Sequence, residues 1–581
     1  MSGVFIEYGN IAPEAKENFF PKATEKESFV ELSNLQKYDL SFPNFGNPCE
    51  LYQTLLDGTA KVIPSLTEPE DFGWWSIQTS DEQGQFETPI TLILEAEQKY
   101  SSQGITLTFD TNNGIFSNDL NIKWYRDEEL ISSKDFFPDT PLYFCDNLVQ
   151  FYNNVEITFY KMNMPYNRLK LNAFDYGNIL KFTPKEIRGV KLIQELNPIS
   201  TEISINTADF TLDIDPKTGI LPQKKQPITV YFNEGIQATT FIDDSKRISK
   251  NIWKIQSEDY IGLLDSIPYY GGMYYNENAV SILEDIFSVA KVPYSIEAVF
   301  NDINVSGYIP YTTCREALMQ VCFAIQAVAD TSCSDVVKIY SLPSVVSQKI
   351  PLNRIMQGAT FENTDTVTSI EIASHAYIPT DETMVVYSQN IHGMGENIFV
   401  KFPEPLYDLS IKSEFDDVEG NGEILAYGVN YAIINAYDND ILVGKRFKHE
   451  KIIKRKNNPN VLSTQQEKII AIENATLVTT ENIDKVIEKC YNYLTITNTA
   501  NVKIVEGKHV SGGNVVRYGQ AKYGSVKYGE ILPKITTYDK AVNVGDMIIM
   551  ETEFLGDLQG TIIKETFNLN GGIVVKNCTI K

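Results

Sequence analysis

Histidine is nearly absent: four in 581 residues, at positions 375, 392, 449 and 509. None forms H-E-x-x-H or an H-x-H pair, so the usual zinc-hydrolase signatures are missing. Cysteine is also sparse, with seven residues at wide spacings and no C-x-x-C pair. That excludes a disulfide framework or a zinc ribbon as the organising principle, and reduced thiols suit synthesis in a cytoplasm. No apolar run approaches the roughly 18 residues of a membrane-spanning helix. The opening MSGVFIEYGN has neither a basic nor an apolar signal segment, so no classical secretory leader is expected. There is no G-x-x-x-x-G-K-[ST] and no G-x-S-x-G, and HGMGEN (392–397) is only a loose G-x-G. With 76 acids, chance carboxylate pairs are guaranteed, so no glycosidase dyad can be read from spacing. No catalytic residue, metal ligand or cofactor is assigned.

Acids outnumber bases 76 to 50, giving a net charge of −26 and a pI near 4.7. This argues for a solvated surface and against nucleic-acid binding over the whole molecule. The length predicts three to five domains.

What is present is mostly β-patterned. Residues 21–185 hold TPITLILEAEQKY (88–100) and GITLTFDT (104–111), separated by a turn-like SSQG. NIKWYRDEEL, VEITFYKM and NRLKLNAFDYG follow. Short strands with turn signals between them predict a β-sandwich or jelly roll. Residues 1–20 lack a period and are expected to form an arm that docks on a neighbour. A second β region spans 186–256. From 257 to 345 two helical patterns alternate with short β runs, an α+β insert. AVSILEDIFSVAKV places Ile282, Ile286, Val289 and Ala290 on one face; TCREALMQVCFAIQAV does so with Ala317, Val321, Ala324 and Val328. Thr313 with Glu316 is a capping box. Residues 346–480 form a further β domain, in which FKHEKIIKRK, the turn NNPN and VLSTQQEKIIAIEN read as a long hairpin. ENIDKVIEKCYNYL is an amphipathic helix with Ile483, Val486, Ile487 and Cys490 inward. A closing β-barrel ends the chain within 481–581. The fold class is therefore mainly β with an α+β insert.

Three groups of residues stand out as candidate contacts. Trp74 and Trp75 in FGWWS offer a glycan platform, or core anchors, the commoner fate of Trp. Asp57, Asp81 and Arg126 lie on nearby segments. Eight bases or histidines crowd Lys445 to Lys456: Lys445, Arg446, Lys448, His449, Lys451, Lys454, Arg455 and Lys456. They suit an acidic protein partner or passing DNA, or a solvated strand whose lysines discourage edge pairing. Only Phe447 interleaves, so base stacking is poorly served. Three basic-Tyr-Gly units centre on Tyr518, Tyr523 and Tyr528 and suit a subunit contact.

Several stretches carry a family resemblance. SEDYIGLLDSIPYYGGMYYNENAVSILEDIFSVAKVPYSI and GYIPYTTCREALMQVCFAIQAVADTSCSDVVKIYSLP, the phrase EISINTADFTL, and the ending VNVGDMIIMETEFLGDLQGTIIKETFNLNGGIVVKNCTI resemble the baseplate hub proteins of phage tails and phage-derived bacteriocin particles of Gram-positive bacteria. The resemblance covers about 186–581. Before it, TLLDG (54–58), FGWWS (72–76) and RLKLNAFDYG resemble a galactose-binding-like jelly roll of the discoidin type, a family that often binds glycans. The hub resemblance implies two tail-tube-like β-barrel domains with helical insertions and a homotrimer with six-fold pseudosymmetry. It also implies contacts with tail tube protein, a trimeric spike protein and other baseplate (wedge) proteins, and a lumen that passes tape-measure protein or DNA. In such a particle the chain would be a virion component assembled in the host cytoplasm. A carbohydrate-binding adhesin acting through the jelly roll on a cell-surface glycan is the alternative. A cell-wall hydrolase is a third reading, although hubs that hydrolyse peptidoglycan do so with an added domain and no segment is left over for one.

Overall fold

The computed structural model describes residues 4–23, 46–48, 62–64, 74–111, 113–232, 235–356, 358–388, 397–414, 420, 422–437, 439–461, 464–510, 534–537, 541–552, 556–570 and 573–581. The chain is mainly β, with its helices concentrated in an α+β insert.

The N-terminal body is one antiparallel sheet. Its strands run Trp74–Thr79, Arg168–Asp175, Gln85–Phe109, Leu142–Met162, Ser117–Arg126 and Glu129–Phe136, and Phe20–Ala23 pairs with Gln85–Phe109. Alternation sends Leu120, Ile122 and Trp124 inward. Two strands are far longer than a flat strand of ordinary length. Register shifts between Glu95 and Tyr100, Tyr100 and Ser102, and Ser102 and Gly104 bend them. The sheet thereby folds over, and Ile90, Leu92 and Leu94 share one core with Ile105, Leu107 and Phe109 of the same strand. The expected SSQG turn is thus a bulged bend inside a continuous strand. Gly104 is needed there: φ is +159° and a Cβ would lie 2.2 Å from the Cys145 carbonyl oxygen.

A second sheet begins with the first residues. Val4–Ile11 pairs with Gly177–Phe182 on one side and Pro227–Phe232 on the other. The order continues through Gly235–Arg247, Ile252–Glu258, Thr207–Asp213 and Ile187–Glu195 to Gly556–Asn570. The expected N-terminal arm is therefore an inner strand; its Val4, Ile6 and Tyr8 are buried with a period of two, a pattern too short to separate from noise in sequence alone. Likewise Gly177–Phe182 belongs to this sheet and not to the sandwich before it. The sheet curls: the rings of Phe232 and Phe567 meet with centroids 5.7 Å apart although four strands separate theirs in the sheet order.

Beyond Gly556–Asn570 the same sheet continues through Ile573–Ile580, Asn498–Val510 and Thr360–Asn363. Met547–Thr552 pairs with the first part of Gly556–Asn570 and with Gln348–Ile350. These strands enclose a different core of Val502, Ile504, Val542, Ile548, Met550, Ile562 and Cys578.

The insert forms where capping residues allow it. Asp259, Asn278 and Thr313 accept backbone N–H bonds at the starts of the helices Tyr260–Asp265, Ala279–Ala290 and Cys314–Ile325. Ile282, Ile286, Ala290, Ala317, Val321 and Ala324 are buried as the periodicity predicts. Val289 is instead 43% exposed, since it lies at the border of the apolar stripe.

In the next β domain the expected hairpin is not formed. Asp440–Asn457 and Ile469–Ile472 lie on opposite sides of Ser369–Ser388, the first antiparallel and the second parallel. Asn458 explains the crossover: its amide and side chain bond to the carbonyls of Thr368 and Val367, which carries the chain around the end of that strand. Helix Ile483–Leu494 buries Ile483, Val486, Ile487 and Cys490 against Ile370 and Ile372.

Candidate functional site: the shared strand and its flanking surfaces

Gly556–Asn570 is the element that organises the molecule. Ile562 points into the second core and Phe567 into the first, both fully buried. Its partners change along its length, from Met547–Thr552 to Ile187–Glu195 on one side, with Ile573–Ile580 on the other. One unbroken strand therefore joins two curled β bodies, and a rotation of one against the other must break ladder hydrogen bonds.

Burial pushes the thiols of Cys314, Cys322, Cys333 and Cys490 up to between about 11 and about 12, the reverse of an activated nucleophile. Burial also raises Asp259 to about 7, against the bonds that its carboxyl accepts from Thr331 and from the helix N–H groups. Among the described residues no group of three or more His, Cys, Asp and Glu is placed to hold a metal ion.

The candidates named from sequence fall in different places. Trp74 is 1% exposed within the sandwich core, so it anchors packing and is no sugar platform. The pair was ambiguous because a Trp in a Gly-flanked segment reads equally as loop or strand. The side chain of Trp75, like Asp57 and the three units around Tyr518, Tyr523 and Tyr528, lies outside the described residues. Asp81 and Arg126 are not brought together. Asp81 holds a turn by accepting from the Gln83 and Gln85 amides, near the Ser117 end of Ser117–Arg126; Arg126 donates to the Phe151 and Gln150 carbonyls at the other end.

The basic stretch lies on Asp440–Asn457, and acids meet its bases one by one. Lys445 is 2.9 Å from Asp408, Arg446 forks onto Glu404, and Lys448 is 2.7 Å from Glu450. Lys451 pairs with Glu473, Lys454 with Asp484 and Lys456 with Glu488. Arg455 lies 2.7 Å from Glu467 and 3.4 Å from Glu371. The run reads as a block of charge only along the chain; in space it is interleaved with carboxylates.

Two clusters gave no sequence signal, because their members are far apart in the chain. His375, His449 and Tyr377 stack at ring separations of 4.7–5.1 Å, and His375 and Tyr377 line a cleft with Tyr274, Glu450 and Glu481. Tyr270, Tyr311, Phe399 and Tyr431 gather with centroids 4.4–6.1 Å apart, and Lys401 lies 4.5 Å above the Tyr311 ring.

No protein-family model matches the chain, and no curated protein sequence matches it. Solved structures of proteins described as tail proteins are similar to it over roughly two thirds of its length. The 43 kDa tail protein of prophage MuSo2 from Shewanella oneidensis aligns with 70% of this chain and 95% of its own, at 10% identity and a TM-score of 0.39. A tail protein from Neisseria meningitidis aligns with 68% of this chain and 92% of its own, at 10% identity and a TM-score of 0.39. Prophage tail protein gp18 from Listeria monocytogenes aligns with 69% of this chain and 90% of its own, at 8% identity and a TM-score of 0.34.

Proposed function

We propose that this chain is a structural hub of a phage tail or phage-tail-like particle. Three copies close a ring, and each contributes two barrel-like bodies. The upper face then offers six such bodies to a hexameric tail tube, while the lower face keeps the three-fold symmetry that a spike requires. The lumen passes tape-measure protein or DNA, and the outer surface meets the other baseplate proteins.

The observation that carries this reading is the strand Gly556–Asn570, which gives one chain two curled β bodies in fixed register. A protein that must present two tube-like units at a constant angle needs such a rigid joint. The sequence resemblance over 186–581 supports the same role, and the buried, high-pKa thiols favour a structural part over a catalyst. Electron-microscopic class averages of the purified assembly, viewed down its axis, test it. A closed ring with six wall densities in alternating pairs is expected; open or single particles would overturn it.

A further inference from the structure

A polar knot is sealed where the loop at 541–546 and the strands Gly556–Asn570 and Ile573–Ile580 meet the insert. Lys576 and Glu565 are both 0% exposed, with Nζ 2.8 Å from Oε1. Lys576 Nζ also lies 3.0 Å from Asn543 Oδ1 and 2.6 Å from the Val542 carbonyl oxygen. Cys333 Sγ is 3.2 Å from the same Asn543 Oδ1. Gln237 Nε2 lies 3.3 Å from Glu565 Oε1.

Two full charges in such a place are expensive; the desolvation cost is several kcal/mol for each ion. Passing one proton from the ammonium to the carboxylate removes both charges. The product is a neutral amine, a nucleophile, held against the amide of Asn543. The carboxyl group at its side can take and return a proton. Burial keeps the Cys333 thiol protonated, so its S–H donates to the amide oxygen and polarises the carbonyl. Nucleophile, electrophile, proton carrier and oxygen-binding donor are all present, and the nucleophile and proton carrier are both fully buried.

We propose that Lys576 and Asn543 form an intramolecular isopeptide bond, with Glu565 as the proton carrier. Lys576 Nζ, having given one proton to Glu565, attacks Asn543 Cγ. The new C–N bond forms as the C–Nδ2 bond breaks. Glu565 returns its proton to the leaving nitrogen and receives the proton that Nζ sheds, so one ammonia leaves and nothing is oxidised or reduced. Glu565 then gives up that proton to solvent with the departing ammonia, which carries it as ammonium. The bond ties the loop at 541–546 to the last strand, beside the strand that both β bodies share. It requires no trimer, so its fate and that of the hub reading are separable.

Intact-mass spectrometry of the full chain tests the proposal. The wild type should weigh about 17 Da less than its sequence, one ammonia. Trypsin should fail to cut after the acylated Lys576 and should yield a branched peptide joining 541–564 to 565–581. Asn543→Ala keeps the Lys576–Glu565 pair and should restore the full mass. Glu565→Gln lacks the proton carrier and should do the same. A wild type of full mass that releases peptides 565–576 and 577–581 would overturn the proposal and leave a plain buried ion pair. The wild-type result decides the matter even if a variant fails to fold.

Discussion

His375 and His449 face each other on neighbouring strands, with Nδ1 of the first 2.9 Å from Nε2 of the second and the rings 7° from parallel. Such a bond needs one ring nitrogen as donor and the other as acceptor, so it fails if both rings are protonated. Burial, then the charges of His449 and Lys451, push His375 down to about 4 from an ordinary 6.5. Burial and Lys451 lower His449 too. A folded-state value below the unfolded one means stability that is complete above pH 6.5 and is lost as pH falls through about 4. Urea unfolding between those pH values should show a loss on the order of 3 kcal/mol for His375. His375→Gln should flatten that slope; an unchanged slope would show that the pair is not its source.

Trp74 is a core residue of the sandwich. Trp74→Ala should lower the stability of the N-terminal body by roughly 3–5 kcal/mol, read as an early transition in a thermal melt. Trp74→Phe should cost distinctly less. A Trp74→Ala variant that melts with the wild type would contradict its burial.

Gly177 joins the sandwich to the first curled sheet, paired with Ile11. Its φ is +138° and a Cβ there would sit 2.0 Å from the Asn10 carbonyl oxygen. Gly177→Ala should cost on the order of 2–3 kcal/mol and expose Val4–Ile11 to proteolysis. Limited proteolysis with N-terminal sequencing checks this.

The basic strand should behave as a neutralised face. Lys454→Glu breaks one exposed pair with Asp484 and should change stability by less than about 1 kcal/mol. The wild-type chain should pass through a heparin column unretained at physiological salt, and strong retention would show a free basic surface.

The helical faces were the most readable part of the sequence. Ile483, Val486, Ile487 and Cys490 recur at helical spacing and are all buried, because a helix face is decided by residues within a few positions of one another. Pairing across long separations was not readable. Val4–Ile11 finds partners around positions 180 and 230, and no local pattern carries that information. The lost hairpin is the same case: NNPN turns the chain, but Asn458 bonds to Thr368 and Val367, so the return strand lands on the far side of Ser369–Ser388. The His375–His449 pair was hidden for that reason as well. Each histidine alone is unremarkable, and register across two strands makes the pair.

The proposed ring can be weighed. Light scattering on the purified chain, coupled to size exclusion, should give a mass near 197 kDa, three times 65.7 kDa. A chain that stays at 65.7 kDa, alone and with a co-expressed spike protein, would contradict the trimeric hub.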